Sequence, residues 1–249
     1  PIPSALAGLL GAYSPSLVGI VLTAAYQGRE GVRTLFRRLS IWRVGIGWYL
    51  FALLWPVLRS LLVTGMAMLL GHAAPDFSNP PVLHEYPAPP EAFSAGPLVL
   101  LPMVFLTQLL GSSLGEEFGW RGYALPRLQA RISALWSSVA LGALWGLWHL
   151  PRLLPLHWAT FAWFMVSIIM TTILYTWVFN NTRGSLWPVL LFHTSQGVAN
   201  LFLSAVDVPP IGLVVDVILL AVVLLMYGPA RLARGAAALE TEEACGLPS

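Results

Sequence analysis

The chain has 249 residues, of which 57% are hydrophobic and only 10% charged, and its mean hydropathy is +0.74. A soluble domain of this length is about a quarter charged, so the composition excludes an ordinary soluble fold and implies a polytopic α-helical membrane protein, a transmembrane bundle set in a lipid bilayer. The net charge of +2 gives no reason to expect a nucleic-acid partner, and the single cysteine, Cys245, excludes an intramolecular disulfide or a CxxC metal knuckle.

Apolar runs give seven candidate spans, at about 5–26, 44–71, 97–117, 134–150, 159–179, 186–205 and 210–228. Between the first two, Gln27 to Arg43 carries Arg29, Arg33, Arg37, Arg38 and Arg43, a cytoplasmic marker. Leu35, Phe36 and Leu39 lie among these arginines at a spacing that fits an amphipathic helix along the inner interface. The loop from His72 to Ala95 has six prolines, three acids and no arginine, and reads as external and irregular. His84-Glu85-Tyr86 does not extend to a zinc-protease helix, because the second histidine is absent. Alternation then places Arg121, Arg127, Arg131, Arg183, Arg231 and Arg234 inside, with Arg152 alone against the rule. With an odd number of spans the N-terminus falls outside, which points to a further helix ahead of residue 1. The expected organisation is one helical domain over 1–230, a motif-bearing core at about 97–205, and a short polar cytoplasmic tail over 231–249.

The third span ends in the least expected feature of the chain. From Pro97 to Gly115 there is no charged side chain, and then Glu116, Glu117 and Arg121 follow. A carboxylate in or beside hydrocarbon costs roughly 2.5–3.5 kcal/mol, so such residues are usually functional. Glu117 and Arg121 stand one turn apart and suit an ion pair. Glu116, about 100° around the helix, is then the better candidate for a base. Two further spans contribute His149, in Trp145 to Pro151, and His193, in Pro188 to Gly197. One carboxylate and two imidazoles can activate a water for hydrolysis, or can hold a divalent metal such as zinc through Glu116, His149 and His193. Spacing does not separate these versions.

Gly111, Gly115 and Gly119 form one small-residue stripe and Gly142 and Gly146 another, which predicts a close approach of spans three and four. Arg59 in mid-span needs a partner, with Asp216 or a glutamate of the site as candidates. If span four starts inside near residue 134, His149 lies about 22 Å along it, deeper than Glu116 would be at the end of span three.

Together these motifs resemble the CAAX-protease and bacteriocin-processing (CPBP, or Abi) family of intramembrane proteases. Its signature is Glu-Glu-x-x-x-Arg, an aromatic-x-x-x-His segment, and a later His-x-x-x-Asn. Here they correspond to Glu116, Glu117 and Arg121, to Trp145 and His149 with tryptophan where phenylalanine is usual, and to His193, followed four residues on by Gly197 instead of asparagine. Gln196 and Asn200 are the nearby candidates for the missing amide. The resemblance implies an intramembrane endopeptidase acting on a membrane-associated peptide or protein, with Glu116 as base and His149 and His193 assisting. The alternatives are a non-proteolytic scaffold or bacteriocin-immunity protein that keeps the fold, motivated by Gly197, and an ion or proton transporter using the same buried groups.

Overall fold

The computed structural model describes residues 4–85, 96–153, 157–203 and 208–234. All secondary structure among these residues is helical. In chain order the elements are α1 (Ser4–Arg37), α2 (Ile46–Leu69), the single turn α3 (Val82–Glu85), α4 (Leu98–Gln129), α5 (Ala134–Trp148), the single turn α6 (Leu150–Leu153), α7 (Trp158–Asn181), α8 (Trp187–Phe202) and α9 (Pro209–Tyr227). In hydrocarbon no water serves the backbone, and a helix satisfies its own amides and carbonyls.

Each apolar run coincides with a helix, and among the described residues four of these helices (α2, α4, α7 and α9) are long and apolar enough to cross a membrane. This is the architecture of a multi-pass membrane protein. The 15 residues of α5 and 16 of α8 reach only about 22–24 Å at about 1.5 Å per residue, short of a hydrocarbon core of about 30 Å. Both are packed within the bundle. The N-terminal end of α8 is roofed by the segment after α1, where Trp187 Nε1 donates to Leu39 O at 2.8 Å and Ser185 Oγ to Ile41 O at 2.5 Å.

The third span does not end at residue 117. Helix α4 continues through the charged stretch to Gln129, placing about 18 Å of helix below Glu117. Glu116 therefore lies well inside the helix, not at its inner end, which removes the difference in depth from His149. Two π-helical stretches interrupt α4, at Leu109–Ser113 and Phe118–Ala124, on either side of the glutamates.

The glycine stripes join different helices from those expected. A Cβ at Gly115 would lie 2.7 Å from Ala12 O, and one at Gly119 would collide with the carbonyl of Pro15, so this stripe seats α4 on α1. A Cβ at Gly142 would lie 2.8 Å from Ile169 Cα and one at Gly146 would meet Met165 Sδ at 2.5 Å, so the second stripe seats α5 on α7. Gly111 has no neighbour within 4 Å of such a Cβ.

The basic segment is helical, turned at Gly28 (φ 62°, ψ −158°) within α1. Its apolar side packs on the C-terminal half of α4, with Leu35 buried and Phe36 against Phe118 at 5.1 Å between ring centroids. Arg38 is also buried, its guanidinium donating to Gly184 O at 3.2 Å. Asn180 and Asn181, the last residues of α7, fasten the start of the C-terminal segment through Arg231 O and Leu232 O at 2.7 and 2.8 Å. Residues 235–249, which include Cys245, lie outside the described residues, as do Glu91 and the second half of the proline-rich loop.

Candidate active site

Helix α4 presents neighbouring side chains to two different helices. Glu116, 3% exposed, turns toward α5: its Oε2 accepts from Trp145 Nε1 at 2.6 Å and its Oε1 from Ser112 Oγ at 3.1 Å. Glu117, fully buried, turns toward α8. Its Oε1 accepts from Arg121 at 2.9 Å and from His193 Nδ1 at 2.8 Å. The i,i+4 ion pair read from the sequence is thus formed, and it also fixes an imidazole.

Arg121 has no water contact at all. Its guanidinium lies 4.3 Å from the ring centroid of Trp145 and 4.5 Å from that of Tyr175. Its Nε and one terminal nitrogen, together with Glu117 Oε2, are buried with no hydrogen-bond partner, so the aromatic faces take up part of the cation's field.

His193 is held from both ends. With Nδ1–H donating to the Glu117 carboxylate, Nε2 points to Ser112 Oγ at 3.4 Å. The single hydroxyl hydrogen of Ser112 serves one acceptor at a time, so Ser112 bridges Glu116 and His193. Ser113 and Thr194 add a buried hydroxyl contact at 2.9 Å between the same two helices.

His149 reaches the group through Trp145. Its Nδ1 lies 2.8 Å from Trp145 O, which as an acceptor requires an Nδ1–H there. The ring packs on Trp145, Trp148 and Phe164 at centroid distances of 5.7, 4.8 and 5.4 Å. The Trp145 ring also contacts His193 at 5.5 Å, so the two histidines flank one indole.

Gln196 and Asn200 lie elsewhere. Gln196 Oε1 accepts from Tyr175 Oη at 3.1 Å. Both residues line a separate polar cavity with Arg59, Ser60 and Asp216. There Arg59 makes a two-pronged ion pair with Asp216, both contacts at 2.7 Å, which answers the need of a mid-span arginine for a carboxylate. Neither amide hydrogen-bonds Glu116, Glu117 or His193 among the described residues.

Ser112, Tyr175 and the indole N–H of Trp145 did not stand out in the sequence. Ser112 had one available signal, its position four residues before Glu116 on the same helix. Trp145 had another, since tryptophan carries a donor that phenylalanine lacks.

A zinc site needs three or four donors converging at about 2.0–2.3 Å. Among the described residues no group of three His, Cys, Asp or Glu side chains is disposed to hold a metal ion. The carboxylate oxygens that face inward already accept from Trp145, Ser112, Arg121 and His193. As placed, Glu116, His149 and His193 do not form a three-donor set for a metal ion.

Residues 97–199, which contain Ser112, Glu116, Glu117, Arg121, Trp145, His149 and His193, match the family model described as type II CAAX prenyl endopeptidase, Rce1-like. Over these residues the motif-bearing core is similar to the CPBP family. A relative, the CAAX prenyl protease 2 of Methanococcus maripaludis, is 34% identical over 103 residues, a stretch covering 37% of this chain and 37% of that protein. The chain spans a little over a third of that relative's length, and the family-model match falls on α4, α5, α6, α7 and most of α8.

Proposed function

We propose that this chain is an intramembrane endopeptidase that hydrolyses a peptide bond of a membrane-associated protein or peptide, with Glu116 activating the water. The observation that carries this reading is the setting of Glu116: nearly fully buried within a spanning helix, held by two neutral donors, and one hydroxyl away from His193. The likeness of the core to the Rce1-like family model and the name of its relative support a substrate of this class, a membrane-anchored peptide near its prenylated end.

In this mechanism the Glu116 carboxylate takes a proton from water as the water oxygen bonds to the scissile carbonyl carbon. Negative charge moves to the carbonyl oxygen. As an imidazolium, with Nδ1–H held by Glu117, His193 carries a second N–H at Nε2 that it can donate to that oxygen. His149 is the second imidazole of the mechanism, beside the same indole. Protonated Glu116 then passes its proton to the amide nitrogen as the carbon–nitrogen bond breaks, leaving a new carboxylate and a new amine. Glu117 and Arg121 take no proton in this cycle; they fix the orientation of the His193 ring.

The five arginines of 27–43 and the C-terminal tail face the cytoplasm in this reading, so the site opens to that side. The test uses the purified protein in proteoliposomes with two probes: a farnesylated peptide ending in Cys-aliphatic-aliphatic-X, and the same sequence on a saturated acyl anchor. Wild type cleaves at least one probe, and Glu116→Gln lowers kcat by at least about 100-fold, as loss of a general base implies. Cleavage of neither probe, or equal cleavage by Glu116→Gln, would overturn the proposal.

A further inference from the structure

Helices α4 and α8 run antiparallel and meet in successive rungs along one seam. Glu117 meets His193, Ser112 meets His193, and Ser113 meets Thr194. One turn further along each helix the next rung is Gln108 opposite Gly197. A Cβ at Gly197 would lie 2.7 Å from Oε1 and 3.0 Å from Cδ of Gln108. The carboxamide therefore rests on the bare backbone of residue 197, one turn from His193 on α8 and one turn from Ser112 on α4.

Gly197 stands where the CPBP pattern has asparagine, and the two amides closest in sequence, Gln196 and Asn200, face the cavity of Arg59 and Asp216. Glycine is what allows an amide from the facing helix to occupy this rung, since any side chain at 197 would displace it. The rung borders the Ser112–His193 contact, where a scissile carbonyl must lie if Glu116 is to deliver water to it.

The geometry points to Gln108 as the amide of this site, supplied by α4 across the seam in place of a side chain at 197, with its Nε2 hydrogens donating to the scissile carbonyl oxygen. This rests on the hydrolytic reading above. The chemistry is that of a neutral, preorganised donor aimed at developing negative charge in a medium of low dielectric. Losing one such donor typically lowers kcat by about 10²–10³. A carbonyl accepts from the same donor in the ground state more weakly, so the loss falls on kcat more than on KM.

The test compares wild type, Gln108→Leu, Gly197→Asn and the double variant Gln108→Ala/Gly197→Asn in proteoliposomes, on whichever probe the wild type cleaves, with Glu116→Gln alongside. Gln108→Leu is expected to lose about 10²-fold in kcat, with KM changed less than threefold and thermal stability retained. Gly197→Asn alone is expected to be impaired, because its side chain meets Gln108. The double variant removes that collision and returns an amide from α8, and it is expected to regain at least tenfold over Gln108→Leu. Gln108→Leu within threefold of wild type in kcat would overturn the inference, as would a folded double variant no more active than Gln108→Leu. Should Gln108→Leu fail to fold, the folded double variant decides by comparison with Gly197→Asn: higher kcat supports the inference, and equal or lower kcat overturns it. Loss of activity in Glu116→Gln together with full activity in Gln108→Leu would remove the role of Gln108 alone. Full activity in Glu116→Gln would remove the hydrolytic reading itself.

Discussion

Removing Arg121 tests whether the charges beneath the site are one structural unit. Glu117 and Arg121 are both 0% exposed and 2.9 Å apart, and the guanidinium is stacked between Trp145 and Tyr175. In Arg121→Met a neutral chain of similar length replaces the cation and leaves the Glu117 carboxylate buried, with only His193 to answer it. Breaking a buried pair from one side costs about 3–5 kcal/mol. At roughly 2–4 °C per kcal/mol for a chain of this size, the apparent Tm falls by roughly 6–20 °C. In Glu117→Gln/Arg121→Met neither charge remains, the amide can still accept from His193, and most of the loss is expected to return. The assay is thermal unfolding of the purified protein in detergent, followed by tryptophan fluorescence, for wild type, both single variants and the double. The cycle is expected to show a coupling of at least about 2 kcal/mol. Additive effects, with the double variant no more stable than Arg121→Met, would refute the claim that the two charges are held for each other.

Three further outcomes follow from the same geometry. Trp145→Phe keeps an aromatic face for Arg121 but removes the 2.6 Å donor to Glu116, so it is expected to cost about 1.5–3 kcal/mol of stability; an unchanged Tm in the same unfolding assay would contradict that bond. Gly119→Leu drives a side chain into the carbonyl of Pro15 and is expected to prevent accumulation of folded protein, read by monodispersity after detergent extraction, whereas Gly111→Leu, which meets nothing, is tolerated. Dialysis against a strong zinc chelator is expected to leave peptidase activity within twofold of the untreated protein, since no three-donor group is disposed around the site; loss restored by added zinc would show that the side chains rearrange to bind it.

The features legible in the sequence were those set by local period or by the cost of an unpaired charge. Seven apolar runs gave seven helices, Glu117 and Arg121 paired at i,i+4, and Arg59 found Asp216 because a mid-span cation needs a carboxylate. The end of the third span was misread for the converse reason. Glu116, Glu117 and Arg121 look like the polar end of a helix when counted as charges, yet the Glu117–Arg121 pair and the neutral donors on Glu116 let them sit in mid-helix, and α4 runs on to Gln129. The glycine stripes indicated that some backbone comes close without saying which one, because a small residue carries no mark of its partner. They seat α4 on α1 and α5 on α7. Ser112, Tyr175 and Gln108 were hidden because each is an ordinary polar residue until the group opposite is known. Arg38 was expected among the solvated arginines of the basic segment and is buried, because Gly184 O and the Phe179 ring receive its guanidinium.

Two adjacent glutamates on one helix could have been equivalent, and the structure makes them unlike. The π-helical stretches on either side of them add a residue to a turn and shift which side chains share a face, a distortion frequent at functional sites. Glu116 faces α5 and meets only neutral donors, the indole of Trp145 and the hydroxyl of Ser112. Glu117 faces α8 and meets a guanidinium and an imidazole. A proton placed on Glu117 would break a buried ion pair and release His193 at the moment its orientation is needed. A proton placed on Glu116 breaks no ion pair and leaves His193 held by Glu117. Proton cycling therefore disturbs the bundle least at Glu116, which is why the carboxylate with the weaker partners is the better base.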